Sequence, residues 1–427
     1  MEFMFNPKDF INSPYGDCPF CKDKNSFGVL MIHTNSYTRR CKTCMKSQSY
    51  RLPNIRKTII YLDQFVISNM MKVINPKWKD KGIVTQSFWR EMFEKLDILS
   101  KYQLIICPDS ITHFDESVVS SNYKQLKRMY ELLSYGITFE EFSTLERFIT
   151  CEYARKWVRN EVIENDSLLD LKSVIRGDFN KWQDRFIISV DLGNNDLIID
   201  EIETHNERCR DDITNLFEAW RSSDNFNFNE HYLYELDQSG KMIVKIYMEY
   251  LQQCDRIFKG DTSVNPEILM GNNISILVHS VKSSLVSEGI QSENSLEKTF
   301  EFFLSDHYKK LPPLRISSLM WTALARRAAV VKQKRIPKGS IFNDIKTISN
   351  IFSYCDAIFI DKECASLLEE VKSEIGYNDT RIFSMNTLDE FFLYLDNIKE
   401  NMSKEHENQV YEVYGKDRIK PYTEMYL

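Results

Sequence analysis

The chain has 427 residues, enough for two or three domains, and its 43% hydrophobic and 27% charged residues are typical of a globular protein. No apolar run approaches the roughly 18 residues of a membrane-spanning helix, the N-terminus lacks the pattern of a secretory signal, and a net charge of −7 argues against broad, nonspecific binding to nucleic acid. We therefore expect a cytoplasmic protein without membrane contact, whose ten cysteines are reduced thiols or metal ligands.

Two CxxC pairs lie close to the N-terminus. Cys18 and Cys21 are separated by nineteen residues from Cys41 and Cys44, and two such pairs provide the four thiolates of a tetrahedral zinc site. The sequences FGVLMIH and SYTRR between the pairs predict two short strands, so residues 1–57 are predicted to be a loop-rich lead-in and a zinc ribbon. Four ligands leave no open position, and the zinc is therefore expected to be structural.

The ribbon is the basic part of an otherwise acidic chain. From Cys18 to Lys57, nine Lys or Arg residues stand against one Asp, a local net charge of +8, so the rest of the chain has a net charge of −15. Tyr37 and Tyr50 offer rings on which bases could stack, and basic residues crowd around the second CxxC pair. The candidate contacts to nucleic acid here are Arg39, Arg40 and Lys42.

The next segment has the pattern of a strand, a helix and a second strand. TIIYL at 58–62 and QLIIC at 103–107 are short apolar runs, and residues 86–100 between them have apolar residues at helical spacing. This order is typical of parallel strands. Asp63 ends the first strand, and Glu116 is predicted to lie in the first turn of the helix that follows the second.

A long helical region interrupts this pattern. Residues 121–335 include segments such as LERFITCEYARKWVRNEVI, with apolar residues at three- and four-residue spacing, and predict a large all-α insertion. The basic stretch RRAAVVKQKRIPK near its end adds Arg335 and Lys338 as candidate contacts to a nucleic-acid backbone. A solvated helix face explains that stretch equally well.

The α/β pattern resumes after the insertion, and the tail is highly charged. Asp344 lies in the first turn of a helix predicted over 341–353, and Asp361 ends the predicted strand AIFI. A helix, a strand and a last helix follow, and the tail is expected to be partly mobile. The predicted regions are the ribbon with its lead-in (1–57), the first half of the core (58–120), the helical insertion (121–335), the second half of the core (336–400) and the charged tail (401–427).

Four acids are predicted to meet at one edge of the sheet. Because the carboxyl ends of parallel strands share an edge with the adjacent helix N-termini, the side chains of Asp63, Glu116, Asp344 and Asp361 should converge. A cluster of carboxylates suits Mg²⁺ or Mn²⁺, and such ions promote hydrolysis of phosphodiesters. Each acid taken alone is explained equally well as a helix cap or a turn residue.

Several neighbouring side chains leave alternatives open. Asp115 is the alternative to Glu116 as the second acid, and Asp109 comes third. Asp356 is either a fifth acid or a turn residue. For His113 a structural role is favoured over one in orienting a carboxylate or contacting phosphate.

The segments around the four acids resemble PIN-like nuclease domains. The resemblance covers roughly 58–120 and 340–400, includes the closing segment RIFSMNTLDEFFLYL, and does not extend to the ribbon or the insertion. The motifs are YLDQFVIS around Asp63, CPDSITHFDES around Glu116, FNDIKTIS around Asp344 and AIFIDKECASLL around Asp361.

This resemblance implies an α/β fold, namely a PIN-like parallel sheet with flanking helices, to which this chain adds a large all-α insertion and an N-terminal zinc ribbon. It also implies a nuclease that uses Mg²⁺ or Mn²⁺, bound by the acid quartet, to cut RNA or, as the second choice, DNA. Similar domains often dimerise, so a homodimer is one expected state. Similar enzymes with large additional domains often belong to toxin or antiphage systems, and we extend that role to this chain by analogy alone.

Other functional classes are less compatible with the sequence. The chain lacks GxxxxGK[ST], GxGxxG and GxSxG motifs, which disfavours an ATPase, a Rossmann oxidoreductase and an α/β-hydrolase. Two alternatives to a nuclease stay open. One is a noncatalytic protein that binds nucleic acid, and the other is a protein-interaction module that uses the helical insertion to bind a partner.

Overall fold

The structure is a computed structural model that describes residues 6–76, 78, 87–162, 168–184, 196–223, 225–376 and 379–423. Within these residues the chain forms an N-terminal antiparallel sheet, an α/β core built on a parallel sheet, a mostly helical region inserted into that core, and a C-terminal helix. No helix among these residues is long and apolar enough to cross a membrane.

The N-terminal sheet contains four antiparallel strands in chain order: β1 (Asn12–Gly16), β2 (Phe27–His33), β3 (Ser36–Cys41) and β4 (Ser47–Arg51). The two strands predicted between the cysteine pairs are confirmed as β2 and β3, which form a hairpin with His33 paired to Ser36. The lead-in is more than a loop, because it contributes β1 as an edge strand. Pro14 argues against a strand in the sequence, because proline is tolerated in strands only at edges and bulges, and β1 was therefore not predicted.

The first half of the core contains β5 (Thr58–Leu62), α1 (Gln64–Ile74), α2 (Ser87–Lys101), β6 (Ile105–Ile106), α3 (Ile111–Val118) and α4 (Tyr123–Ser134). The two predicted strands and the helix between them are confirmed as β5, β6 and α2, and the strands are parallel. α1 has no counterpart among the predicted elements, although its buried residues Val66, Ile67, Met70, Met71, Val73 and Ile74 repeat at helical spacing. Glu116 lies in the second turn of α3, not in the first as predicted, because α3 begins at Ile111.

The inserted region contains β7 (Thr138–Phe139), α5 (Phe142–Val158), α6 (Leu171–Val174), β8 (Ile175–Arg176), α7 (Asp196–Arg221), α8 (Phe228–Phe258), α9 (Asn273–Ser287), α10 (Ser295–Phe303), α11 (Asp306–Lys309) and α12 (Pro312–Ala329). It is mostly helical, as predicted, but it is not all-α, because β7 and β8 form a small antiparallel sheet. Helices α5, α8, α9 and α10 enclose a hydrophobic core of their own, with Tyr247, Val281 and Phe302 in its centre.

The second half of the core and the tail contain α13 (Ile341–Ile351), β9 (Ala357–Phe359), α14 (Lys362–Ile375), β10 (Arg381–Phe383), α15 (Leu388–Glu400) and α16 (Lys404–Tyr414). The elements predicted here up to residue 398 are confirmed as α13, β9, α14, β10 and α15. Their regular apolar spacing made them recognisable, since each buries one stripe against the sheet.

The parallel sheet places the ends of β5 and β9 side by side. Its strand order is β6-β5-β9-β10, and β5 pairs with β9 from Ile60↔Ala357 to Leu62↔Phe359. From β5 the chain moves to β6 on one side, and after the insertion it returns to β9 on the other, so the strand order reverses between β5 and β9. Open α/β sheets bind ligands in the crevice at such a reversal.

Both faces of the parallel sheet are buried. Side chains alternate along β5, so Ile59 and Tyr61 pack with residues of α12, α13 and α14, whereas Ile60 and Leu62 pack with residues of α1, α2 and α15. This arrangement of helices on both faces is usual for parallel sheets. α4 belongs to the second layer, because it packs against α1, α2 and α3.

The charged tail contains a helix, α16, that packs against the rest of the protein. In α16, Val410, Val413 and Tyr414 are buried, and they join a hydrophobic cluster with residues of the N-terminal sheet and of α2. Only these few apolar positions mark the helix within its charged sequence. Helix α16 therefore packs between the N-terminal sheet and the core.

Candidate active site

Two strand ends position Asp63 and Asp361. Asp63 follows β5 and caps α1, where its Oδ1 accepts a hydrogen bond of 3.3 Å from the amide of Phe65. Asp361 follows β9 and caps α14, where its Oδ1 accepts bonds of 2.7 and 3.2 Å from the amides of Glu363 and Cys364. Both acids are thus helix caps. Capping leaves room for a second role, because a carboxylate has two oxygens.

Two helices bring Glu116 and Asp344 to the same place. Glu116 lies on α3, and Asp344 lies in the first turn of α13, as predicted. A buried hydrogen bond of 2.7 Å between Thr112 Oγ1 and Thr347 Oγ1 joins these two helices. Asp63, Glu116 and Asp344 line one small cavity, which we call the acid cavity.

Asp361 adjoins the same cavity. Ligand atoms of Asp344, Asp361 and Cys364 all lie within 4.8 Å of one another, and the charge of Asp361 contributes to the raised pKa of Asp63. The structure therefore brings together all four acids that the sequence pattern selected, although they come from both halves of the core.

Burial and mutual repulsion raise the pKa values of these acids. Burial raises the pKa of Asp63 to about 6, with a further contribution from Asp361. Burial raises the pKa of Glu116 to about 8, and the charges of Asp63 and Asp115 add to the effect. The pKa of Asp344 is raised well above its usual range by burial and by the other three acids. Among the described residues, no Lys or Arg forms an ion pair with any of the four.

This set of donors fits a hard divalent cation. Clustered carboxylates repel one another unless protons or a cation neutralise them, and Mg²⁺ and Mn²⁺ prefer oxygen ligands. Cys364 adds a sulfur atom at the edge of the cluster. Burial and the neighbouring acids raise the pKa of Cys364 well above its usual range, and sulfur is a softer ligand than Mg²⁺ or Mn²⁺ prefers.

The position of Cys364 was not evident from the sequence. The six cysteines outside the quartet are buried, as expected for small apolar side chains. The one signal that distinguishes Cys364 is its position three residues after Asp361, which places it in the first turn of α14 beside the cap.

The alternative acids lie elsewhere. Of the three candidates for the second acid, Glu116 lines the acid cavity, whereas Asp109 lines a larger neighbouring cavity. Asp115 is not among the residues that line the acid cavity, and burial raises its pKa. Asp356 precedes β9, at the opposite end from Asp361, and its Oδ2 accepts a bond of 2.7 Å from the amide of Ile59. Asp356 therefore stabilises the start of the sheet and lies away from the site.

His113 lies in an aromatic stack beside the acid cavity. Its ring is parallel to that of Tyr61 at a centroid distance of 5.1 Å, and it also stacks on Tyr130 at 4.6 Å. The side chain is buried, and burial lowers the pKa of His113 to about 3. A neutral imidazole in such a stack fits the structural role favoured from the sequence.

The basic residues of the ribbon make contacts within the protein. Arg39 donates hydrogen bonds to the carbonyls of Pro14 and Glu412, so it connects β1 with α16. Arg40 Nε donates to the carbonyl of Met45 at 2.9 Å.

Neighbouring residues of the ribbon are engaged in the same way. Lys42 Nζ lies 2.6 Å from the hydroxyl of Tyr15. The rings of Tyr37 and Tyr50 stack on each other at 5.2 Å. These side chains stabilise the ribbon, and the rings that were expected to stack on bases are stacked on each other.

Arg335 and Lys338 are placed differently. Both side chains are exposed, on the segment that joins α12 to α13. Gln333 Nε2 in this segment donates a bond of 3.4 Å to Glu363 Oε1, close to the cap residue Asp361. The second basic stretch therefore contacts the first turn of α14, the helix that Asp361 caps.

The four N-terminal cysteines form a compact cluster in which all four Sγ atoms lie within 4.8 Å of one another. Cys18 Sγ lies 3.7 Å from Cys44 Sγ, and Cys21 Sγ lies 3.7 Å from Cys41 Sγ. These distances are too long for disulfides and match the separation of about 3.8 Å expected for thiolates at about 2.3 Å from a tetrahedral zinc ion. The cluster could therefore bind a structural metal such as zinc.

Hydrogen bonds to sulfur support the thiolate form of Cys41. Burial opposes ionisation of Cys41, but bonds from Ser26 Oγ and from the amides of Cys44 and Thr43 lower the pKa of Cys41 to about 6. At Cys18, two amides of the first CxxC turn point to Sγ in the same manner. A thiolate is the form that binds metal.

Comparisons with known proteins do not assign the chain to a family. No protein-family model matches it, and neither a curated protein nor a solved structure matches it. The functional argument therefore rests on the site itself.

Proposed function

We propose that the protein is a metal-dependent nuclease that hydrolyses phosphodiester bonds, with RNA as the favoured substrate and DNA as the second choice. The observation on which this proposal depends is the convergence of Asp63, Glu116, Asp344 and Asp361 at the strand-order reversal of a parallel sheet. The short motifs around these acids and their order along the chain resemble PIN-like nucleases, and this resemblance is what selects nucleic acid as the substrate.

The four carboxylates would hold Mg²⁺ or Mn²⁺. When bound, such an ion neutralises the phosphate, lowers the pKa of a water molecule and stabilises the leaving oxygen. The protein contributes the rigidity of the site. The caps at Asp63 and Asp361 orient two carboxylates through backbone amides, and the bond between Thr112 and Thr347 fixes the two helices that present the others.

Arg335 and Lys338 would bind the nucleic-acid backbone beside the cut. Their exposed side chains lie on the segment between α12 and α13, which contacts Glu363 through Gln333, and phosphate contacts from Lys and Arg position a substrate without reading its sequence. The ribbon would bind zinc through its four cysteines, and the contacts of Arg39, Arg40 and Lys42 favour a structural task for it.

A cleavage panel tests the proposed function. Transfer RNA, messenger RNA, single-stranded DNA and duplex DNA are incubated with the protein in Mg²⁺ or Mn²⁺, in parallel with Asp63→Asn and Asp356→Asn. The two variants are matched, because each removes one carboxylate beside the same pair of strands. We expect cleavage by wild type and Asp356→Asn and none by Asp63→Asn. Equal cleavage by Asp63→Asn, or no cleavage of any substrate by the wild type, would rule the proposal out.

A further inference from the structure

Two lysines, Lys57 and Lys101, are buried among the residues that the structure describes. The ammonium of Lys101 has the partners that a buried charge requires, because its Nζ donates bonds of 2.6 Å to Asp97 Oδ2 and 2.7 Å to the carbonyl of Lys420. Lys57 is only 2% exposed, yet its Nζ forms no hydrogen bond or ion pair with any described residue. Lysine is almost never buried without a partner, so the position of Lys57 needs an explanation.

The side chain of Lys57 faces a cavity of about 480 Å³, which lies within the usual range of small-molecule sites and which we call the lysine cavity. Lys57 directly precedes β5, and the alternation of side chains along a strand puts it on the same face of the sheet as Ile59. Ile59, Phe179 and Tyr354 belong to the core cluster on that face, and all three line the cavity. Lys57 Nζ is not among the partnerless polar atoms that the surrounding protein encloses completely. An unpaired amine therefore opens into this cavity.

The lysine cavity is separate from the acid cavity. Lys57 precedes β5 and Asp63 follows it, so the five residues of the strand separate them by about 20 Å. Arg56 and Asp379 line the lysine cavity with exposed side chains, so the cavity opens to solvent beside them. The proposed nuclease function uses none of this space.

The surroundings of Lys57 favour the free amine. Burial lowers the pKa of Lys57 to about 7, with Lys181 adding to the effect and Asp178 opposing it. A large share of Lys57 is thus uncharged at neutral pH, whereas an ordinary lysine is almost wholly protonated. An uncharged lysine in an apolar pocket is a nucleophile. The other ionisable side chains that line the cavity are Arg56, Tyr354, Cys355, Asp356 and Asp379.

The lining favours an uncharged ligand with an apolar body. Ile59, Leu168 and Phe179 provide apolar walls. An anion would meet the carboxyl groups of Asp356 and Asp379, which line the same cavity. An aldehyde or a ketone fits both conditions, because its body packs on the walls and its carbonyl carbon is the electrophile that an amine attacks.

We propose that the lysine cavity binds a small aldehyde or ketone and that Lys57 forms an imine with it. The lone pair of the amine adds to the carbonyl carbon, and a proton moves from nitrogen to oxygen to give a carbinolamine. The hydroxyl group then leaves with the second proton of the nitrogen as water, and a carbon–nitrogen double bond remains. Each imine releases one water molecule, and the step needs no oxidant or reductant.

Reductive trapping with a small aldehyde tests this proposal. The full chain is incubated at pH 7 with butanal and cyanoborohydride, which reduces an imine to a stable amine, and the labelled lysines are identified by peptide mass spectrometry. Lys101 is the matched control for burial, and Lys404, whose side chain is 94% exposed, is the control for access. We expect Lys57 to be labelled at least about 10-fold faster than either, because far more of it is the free amine.

Two further measurements distinguish a site from a merely reactive amine. Aldehyde groups carried on dextran, which is too large for the cavity, should label Lys404 and leave Lys57 unlabelled. Labelling of Lys57 by butanal should level off above about pH 8, whereas that of Lys404 should still increase above pH 9. Lys57→Met should lose one fast-labelled position and no other.

The outcome is independent of the nuclease, because the readout is the mass of an adduct and not cleavage. Fast labelling of Lys57 by butanal alone supports the site, whether or not the protein cuts nucleic acid. Labelling of Lys57 no faster than that of Lys404, or equally fast labelling by the dextran aldehyde, would overturn it. Both results can be obtained with the wild type, so the proposal stays testable even if Lys57→Met does not fold.

Discussion

The hydroxyl of Thr112 lies 2.7 Å from the hydroxyl of Thr347, although 235 positions separate the two residues in the chain. Glu116 is one helical turn beyond Thr112, and Asp344 is about one turn before Thr347. This buried bond therefore sets the distance between two of the four acids. It also joins the two halves of the core, which the insertion separates in sequence.

Removing this bond should lower stability and activity together. Thr347→Val keeps the shape of the side chain but leaves the hydroxyl of Thr112 buried without its partner, which should cost about 1 to 3 kcal/mol in the free energy of unfolding. Thr347→Ser, which keeps the hydroxyl, should restore most of the cleavage rate. Denaturant unfolding and initial cleavage rates of the two variants provide the check. Identical rates for Thr347→Val and wild type would show that the bond does not position the acids.

The acid cluster should make the metal-free protein less stable as the pH rises. The pKa of Asp63 is raised in the folded state to about 6 and that of Glu116 to about 8, so the folded protein binds more protons than the unfolded chain between about pH 4 and pH 8. Stability from these groups is therefore lost as the pH increases through that window. Asp63→Asn should raise the stability at pH 8 by on the order of 2 kcal/mol, and by much less near pH 4.

Thermal unfolding of metal-free wild type and Asp63→Asn at both pH values measures this difference. Saturating Mn²⁺ at pH 8 should raise the midpoint of the wild type more than that of the variant, because ligands that bind the folded state stabilise it. A variant that is less stable than wild type at pH 8 would contradict the electrostatic account.

The cysteine cluster should contain one zinc ion per chain. Cys41→Ser removes one of four ligands, so metal analysis of the purified variant should find little zinc, and its melting temperature should fall because metal binding contributes to folding. Cys254→Ser is the control, since Cys254 is buried in the insertion away from the quartet. Full zinc content in Cys41→Ser would mean that the four thiols do not act as one site.

The two groups of basic residues should behave differently. Alanine at both Arg335 and Lys338 should weaken nucleic-acid binding and reduce its dependence on salt, by about 1 to 2 in the slope of log K against log salt. Arg39→Ala should lower thermal stability through its lost bonds to β1 and α16, with the salt dependence unchanged. Binding titrations at several salt concentrations distinguish these results, and the opposite pattern would indicate that the ribbon, through Arg39, contacts the nucleic acid.

The strands and helices that surround the acid cavity could be predicted from the local pattern of apolar residues. The apolar runs of β5 and β9 and the apolar stripe of α13 were recognisable in the sequence. The rule that parallel strand ends share an edge then predicted from the sequence alone that Asp63 lies beside Asp361. The resemblance of the motifs then selected Glu116 from three neighbouring acids.

Contacts between distant segments could not be predicted in this way. Arg39 bonds to a carbonyl 373 positions away, and nothing near it in the sequence distinguishes that task from binding phosphate. Helix α4 contributes Tyr130, which stacks on His113, and packs against the core although its sequence suggested the start of the insertion. β1 was missed because a proline interrupts it, whereas α1 was missed although its apolar residues repeat at helical spacing.

The central claim is that the four acids act as one metal-dependent site for cutting nucleic acid. The most direct measurement is the initial rate of Mn²⁺-dependent cleavage of single-stranded RNA by wild type, Asp344→Asn and Asp356→Asn, with each variant checked for an intact fold by circular dichroism. The account predicts a loss on the order of 100-fold in Asp344→Asn and a near-normal rate in Asp356→Asn. A rate for Asp344→Asn equal to that of the wild type would contradict it.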